Sequence, residues 1–439
     1  MKKDHYFPVY GQTLTVTPFD KDLHFIIIRP AFFYTIIPGF APQSDAGLSI
    51  ISVLLTAGFS GGSELKEIYL DNSATTRVCP SAAKKALELM TDIYGNPSSL
   101  HSKGLEAQHE TDHARRIIAD SLGAKPGEIY FTSGGTEANN TAVFGAAHAL
   151  RRRGNRIVTT AIEHSSVFEA MQQLEKEGFE VIFLRPDSSG CVRPEDIRAA
   201  INKDTILVSI MAVNNELGSI QPIQSVYRAI AASGSPALFH VDAVQAYMKM
   251  PLIPKKLGID LLSVSGHKIH APKGIGALYV RKGARILPLH FGGMQEQKLR
   301  PGTEAAPLIC AMGEAVRCFD KNEGSTIRDL NLYFRQKLSE IDGIVFNSDE
   351  KCLPYIINFS LPGLRSETLL HFLAERNIFV SSGSACAKGH KSHVLEAMEY
   401  DSLRAESALR ISFSDENSSE DADIIVNNLK IAVSTLARR

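Results

Sequence analysis

The chain has 439 residues, 44% of them hydrophobic and 22% charged, a globular composition that excludes collagen-like, mucin-like and disordered chains. Lys and Arg number 47 against 48 Asp and Glu, so no net positive field draws the protein to nucleic acid or to an anionic membrane. Any phosphate site must therefore be local.

Residues 1–65 read unlike the rest. FIIIRPAFFYTIIPGFAPQ is broken by Pro30, Pro38 and Pro42, and the uncharged run from Ala46 to Ser63 barely reaches the roughly 18 residues a membrane helix needs. The MKKDHYFPVY start is not followed by an apolar core and a small-residue cleavage site, so neither a span nor a signal peptide is expected. The segment reads as a poorly ordered extension, or as a start assigned too far upstream.

From Lys66 onward short β-type runs alternate with helical patterns, the signature of a mostly parallel sheet covered by helices. EIYFTS at 128–133 precedes the helical TEANNTAVFGAAHAL, and RIVTTAIEH at 156–164 precedes SSVFEAMQQLEKEG. EVIFLRP, TILVSIMAV, ALFHVDAVQA and LLSVSGHK continue the rhythm to residue 268. After about residue 305 the pattern turns mixed, with a helix at AAPLICAMGEAVRCFDK and strands at YIINFS, IFVSS and LRISFS. The expected organisation is an extension (1–65), a large α/β domain (77–305), and a smaller α+β domain made of 66–76 and 306–439.

Open α/β sheets bind ligands at the carboxyl ends of their strands, so the polar residues there carry the functional reading. In SGGTE at 133–137, Gly134, Gly135 and Thr136 either form a plain turn and N-cap or bring backbone N–H groups to a phosphate. Asp242 after ALFHV either caps a helix or joins a buried ion pair, or holds a pyridine nitrogen protonated. Gln245, one helical turn on, would share its face. Lys268, amid Ser265, Gly266, His267, Pro272, Gly274 and Gly276, lies in the tightly specified loop that a Schiff-base lysine requires. His164 is either a satisfied buried imidazole or an acid/base or ring-stacking group. Arg410 offers a fork for a carboxylate or a structural ion pair.

Six cysteines, at 79, 191, 310, 318, 352 and 386, form no CxxC pair and no zinc-ligand spacing, which fits a reducing cytoplasm and no metal site. Five read as small buried hydrophobes. Cys386 lies instead in SSGSACAKGHKS beside Lys388 and His390, accessible and suited to a nucleophilic thiolate.

Ten ordered motifs resemble one family: YLDNSATT, GNPSSLHSKG, TSGGTEANN, AIEHSSV, VNNELGSIQPI, HVDAVQA, SVSGHKIHAPKGIGALYVRKG, LRPGTEAAP, SSGSACAKGHKSHVL and LRISFS. From about Ile68 to the C-terminus the chain is similar to NifS/IscS-type cysteine desulfurases, class V members of the fold-type I pyridoxal-phosphate enzymes. SSGSAC matches group I of these enzymes, whose longer loop delivers sulfur to proteins. The resemblance implies a homodimeric enzyme that converts L-cysteine to L-alanine and leaves the sulfur as a persulfide on Cys386. The sulfur would pass to an iron–sulfur scaffold or a tRNA thiolase, with no direct contact to nucleic acid or membrane.

It also implies roles. Lys268 would carry the cofactor and take the substrate Cα proton, Asp242 would hold the pyridinium nitrogen, and His164 would stack on the ring. Gln245 would meet the phenolic oxygen. Gly135, Thr136, Ser265 and His267 would hold the phosphate, with Thr303 reaching the phosphate of the partner subunit. Asn215, which would also touch the cofactor, and Arg410 would bind the substrate carboxylate. Another class V enzyme, such as a selenocysteine lyase or an aminotransferase, is the nearest alternative, and a catalytically silent scaffold is the other. The AKGHKSHVL run after Cys386 resembles NifS relatives of Gram-positive bacteria rather than the TSASLEPSYVL type, which bears on the acceptor and not on the reaction.

Overall fold

The computed structural model describes residues 66–319, 323–382 and 392–436, together with strands β1 (Tyr6–Val9) and β2 (Gln12–Thr15). Cys386 falls outside the described residues. The chain divides into two units, Met1–Glu64 and Leu65–Arg439. In the first, β1 and β2 pair as an antiparallel hairpin with Tyr6 opposite Thr15, an element not expected from that segment. In the second, β3 (Ile68–Tyr69) opens the described chain.

Six of the expected strands form where the apolar runs lie: β4 (Ile129–Thr132), β5 (Arg156–Thr160), β6 (Glu180–Leu184), β7 (Thr205–Ser209), β8 (Leu238–Asp242) and β9 (Leu261–Ser265). A seventh, β10 (Gly276–Val280), completes a sheet of order β4-β10-β9-β8-β7-β5-β6. β10 runs antiparallel to both its neighbours, and every other pair is parallel. The sequence reading missed it because GALYV follows LLSVS after only a short loop, without the helix that a parallel crossover demands.

These strands are apolar on consecutive residues because both faces are covered. Leu238, Leu261 and Leu278 pack with Val143 and Ala146 of the helix Gly135–Leu150, while Phe239, Leu262 and Tyr279 point into the larger core on the other face. The helices Pro80–Thr91, Ser102–Ser121 and Ala306–Cys318 add Leu89, Ile118 and Ile309 to that larger core. Burial of side chains this size contributes roughly 1.5–3 kcal/mol each.

A second sheet contains β11 (Val345–Phe346), β12 (Ile356–Ser360), β14 (Ser381–Ser382) and β15 (Ala408–Ser412), all antiparallel in the order β11-β12-β15-β14. β13 (Ile378–Phe379) pairs in parallel with β3, and Asp71 bridges to Ser412. The start of the second unit is thereby woven into its C-terminal sheet, which carries YLDNSATT to the mouth of the large sheet.

Two details differ from expectation. The chain after Asp242 turns through 243–249 without forming a regular helix, so Gln245 reaches the site by a turn. Among the other cysteines Cys310 and Cys352 are buried and Cys79 and Cys191 half-buried, but Cys318 is exposed, at the end of the helix whose opposite face packs inward.

Candidate active site

The carboxyl ends of β4, β8 and β9 converge. Beyond β4, the helix Gly135–Leu150 starts at a bend through Gly134, whose φ of 153° is costly for any residue with a side chain. A Cβ on Gly135 would lie 2.8 Å from Val244 Cγ2 and 3.5 Å from Ser265 Cβ, so only glycine lets the helix N-terminus close onto the β8 and β9 loops. Glu137 braces the turn: its carboxylate accepts from Ser133 N at 2.8 Å and from Arg300 Nε at 2.9 Å. Free N–H groups at this terminus, the Thr136 hydroxyl and Ser265 form a cradle for an anion.

Asp242, almost fully buried, accepts from Val244 N at 2.9 Å and from Asn139 Nδ2 at 2.7 Å. Asn139 Nδ2 is also 2.9 Å from Ser166 Oγ, which lies 2.8 Å from His164 Nδ1. His164 caps the helix Ser165–Lys176, its Nδ1 accepting from Ser166 N at 3.2 Å. With Nδ1 an acceptor, the neutral ring keeps its proton on Nε2. Desolvation by the surrounding protein holds the His164 pKa below the usual imidazole range against the pull of Asp242, while the side chain still opens toward solvent. A hydrogen-bonded chain thus links Asp242 to His164, which sequence spacing alone does not show.

Lys268 ends the short turn Gly266–Lys268 after β9. Its Nζ donates to the backbone carbonyls of Ser73 (2.5 Å) and Ala74 (2.7 Å), and Gln245 Nε2 donates to Ser73 O at 3.0 Å. Burial, reinforced by Arg410 and Lys249, presses the lysine down to about 7, so near neutrality much of it is an uncharged, nucleophilic amine. His267 is pushed to about 4 by burial and the adjacent Lys268. Its carbonyl accepts from Thr76 N at 2.9 Å, which fixes the YLDNSATT segment over the lysine loop.

Arg410, only 7% exposed, stands in the middle strand β15. One Nη donates to Asn215 O at 2.9 Å, the other to Asp71 Oδ1 at 2.6 Å, and Nε has no partner. The ion pair admitted by the sequence is therefore real, yet part of the guanidinium fork remains open. Asn215 Oδ1 and Gln245 Oε1 are likewise buried without partners. Unsatisfied buried polar atoms are costly and rare, so their collection beside Lys268 and Arg410 marks a place for a polar ligand.

Two acids adjoin the set, Glu163 buried and Glu216 half-buried. Burial raises Glu163 to about 8, with Thr160 Oγ1 and Met211 N donating to one carboxyl oxygen and the other left bare. Burial lifts Glu216 to about 7 against the attraction of Arg410.

The class-V aminotransferase family matches residues 68–425. The NifS/IcsS protein homolog of Lactobacillus delbrueckii subsp. bulgaricus is 44% identical over 367 residues, 81% of this chain and 94% of that protein. The cysteine desulfurase IscS of Methanosarcina thermophila is 42% identical over 378 residues, 84% of this chain and 92% of that protein. The chain belongs to the NifS/IscS cysteine desulfurase family. A solved NifS-like protein superposes with a TM-score of 0.80 at 36% identity, covering 84% of this chain and all of that one.

As a class-V cysteine desulfurase the enzyme depends on pyridoxal phosphate, and its residues fit that group. An amine of lowered pKa, a buried carboxylate, a glycine-lined helix N-terminus and the unpartnered Gln245 Oε1 are the donor set such a cofactor needs. The structure brings together Gly135, Thr136, His164, Asn215, Asp242, Gln245, Ser265, His267, Lys268 and Arg410. Thr303 is exposed on the loop after Arg300, and Cys386 lies outside the described residues.

Sequence reasoning missed Asp71, Ser73, Asn139 and Ser166 as parts of this desulfurase site. Each sits inside a quoted motif, but their roles depend on partners 27 to 339 residues away. Among the described residues no helix is long and apolar enough to cross a membrane.

Proposed function

We propose that this desulfurase moves the sulfur of L-cysteine onto Cys386 and releases L-alanine. The observation that carries the reading is the convergence of the Lys268 amine, the Asp242 carboxylate and the half-free Arg410 fork at one sheet edge. When bound, pyridoxal phosphate acts as the electron sink that makes the bonds at Cα and Cβ of the amino acid labile.

The remaining work falls to side chains. Gly135, Thr136, Ser265 and His267 would hold the phosphate, and Asp242, whose carboxylate is oriented by Asn139, would keep the ring nitrogen protonated. His164 would cover the ring face and Gln245 would meet the phenolic oxygen. Arg410 would take the substrate carboxylate through the N–H it leaves open, and Asn215 would donate to it from its side-chain amide. Lys268 would hold the cofactor through its amine of lowered pKa and is the group placed to move the Cα proton.

The Cys386 thiolate attacks the substrate sulfur, forming an S–S bond while the Cβ–S bond breaks. That bond's electron pair stays on the carbon side and Cβ takes up a proton. Cysteine plus thiol thus becomes alanine plus persulfide, with no external oxidant or reductant. The persulfide then passes to a protein acceptor, an iron–sulfur scaffold or a tRNA thiolase.

Residues 77–305 form the large cofactor domain, which also lends Asn215 to the substrate, and 66–76 with 306–439 form the small domain that carries Arg410 and Cys386. A homodimer, in which Thr303 reaches the partner's phosphate, is supported by exposed apolar side chains on neighbouring loops. Leu100 is 94% and Phe291 89% exposed, and Glu304 next to Thr303 accepts from Ser98 Oγ. The cysteine pattern supports a reducing compartment such as the cytoplasm.

Purified protein given pyridoxal phosphate and L-cysteine is expected to yield alanine and a Cys386 persulfide in equal amounts. The Cys386→Ala variant should keep the cofactor's absorption but form no persulfide. Undiminished sulfide release from that variant would overturn the mechanism.

A further inference from the structure

Six residues beyond Cys386 the chain is gripped at once. Ser392 Oγ donates to Glu216 Oε2 at 2.6 Å and accepts from Leu395 N at 3.2 Å. It thus caps the short helix His393–Ala397 while tying it to the residue that follows Asn215. His393 Nε2 donates to the backbone carbonyl of Glu163, the residue before His164, at 2.7 Å. The His393 ring also packs on Phe168, 4.7 Å between centroids, in the helix that His164 caps.

Beneath these polar contacts lies a satellite core separate from the two larger ones. Val394, Leu395 and Met398 of the helical segment bury themselves against Ile162, Met211 and Leu217. Ile162 and Leu217 stand two residues from His164 and Asn215, and Met211 N is a donor to Glu163. Two consecutive side chains and one small apolar cluster therefore fasten the chain leaving Cys386 to the same two strand-end loops that present His164 and Asn215. The half-buried Glu216 carboxyl is partly withdrawn from water, and Ser392 supplies a donor to it.

We propose that Ser392 and His393, docked on Glu216 and Glu163, are positioning residues for sulfur transfer to Cys386 and not for the events at Cα that precede it. Six residues span at most about 20 Å even when extended. Fixing Ser392 at the site's edge therefore confines the Cys386 thiol to its neighbourhood and raises its effective concentration at the substrate sulfur. The bond chemistry is unchanged: S–S forms, Cβ–S breaks, and carbon keeps the electron pair and gains a proton. The inference rests on Cys386 as the sulfur acceptor.

Single-turnover mixing of holoenzyme with L-cysteine separates the steps. The cofactor's absorbance change reports the events at Cα, and acid-quenched peptide mass spectrometry reports the Cys386 persulfide. Ser392→Ala should leave the absorbance phase within about twofold of wild type and slow persulfide formation by about fivefold or more. Ser392→Thr, which keeps the hydroxyl, should restore it. His393→Phe keeps the ring contact but loses the donor and should show the same split, so it carries the test if Ser392→Ala does not fold. Persulfide formation at the wild-type rate in both variants, or equal slowing of both phases, would overturn the proposal. Wild-type persulfide on a cysteine other than Cys386 would instead overturn the function on which it rests.

Discussion

The cofactor cradle and the substrate side of this site are built in opposite ways. Gly134, Gly135, Thr136 and Glu137 are consecutive, as are Ser265 to Lys268, and bonds such as Ser133 N to Glu137 close within a few residues. The substrate side is wired across the chain, with Asp71 to Arg410 spanning 339 residues and Arg410 to Asn215 spanning 195. It also holds two of the open atoms, Arg410 Nε and Asn215 Oδ1. A permanent cofactor is gripped by a preorganised turn, whereas a substrate that comes and goes meets groups left half satisfied by distant segments.

The sharpest way to break this contrast is Arg410→Ala. It removes the carboxylate fork and strands Asp71, a loss of about 2–5 kcal/mol for a largely buried charge pair, or roughly 30-fold to 4,000-fold in kcat/KM for L-cysteine. The cofactor's absorption should stay, because the cradle does not use Arg410. Loss of the cofactor would show that the two regions are one.

A smaller effect links them. Lys268 is depressed from 10.5 to about 7 chiefly by burial and then by Arg410. Cofactor uptake needs the neutral amine, so in cofactor-free protein its rate should climb between about pH 6 and 8 and level off above. In Arg410→Ala one source of the depression is gone, and the midpoint should move to higher pH. A rate still rising at pH 9 in the wild type would contradict the buried, depressed amine.

The smallest expected change is in stability. Glu163 is raised from 4.5 to about 8 in the folded protein, so the wild type loses stability as pH rises through that window, where the unfolded chain ionises freely and the folded one does not. Glu163→Gln does not titrate and keeps an acceptor oxygen for Thr160 and Met211. Its melting temperature should match wild type near pH 5 and exceed it by about 2 °C or more near pH 8.5. Equal curves at both pH values would show that the acid is not buried neutral.

Much of this was legible because it is local. The apolar runs at 129–132, 156–160 and 238–242 became strands with the polar site residues at their ends. The loop around Lys268 likewise announced a specified backbone. Strand β10 was not legible, because an antiparallel return needs only a short loop and leaves no helical signal. Gln245 was placed on a helix by spacing, but the chain after Asp242 turns irregularly to hand its amide to Ser73.

The sequence by itself determined the fold class, the family and the identity of the chemical groups, since hydrophobic periodicity and motif order are properties of neighbouring residues. Tertiary structure alone decided how those groups are tuned and aimed. It set the depressed Lys268, the Asp242–Asn139–Ser166–His164 chain, the shared Arg410 and the grip on Ser392. Desolvation and hydrogen bonding depend on what packs against a side chain, and here those partners come from segments hundreds of residues apart.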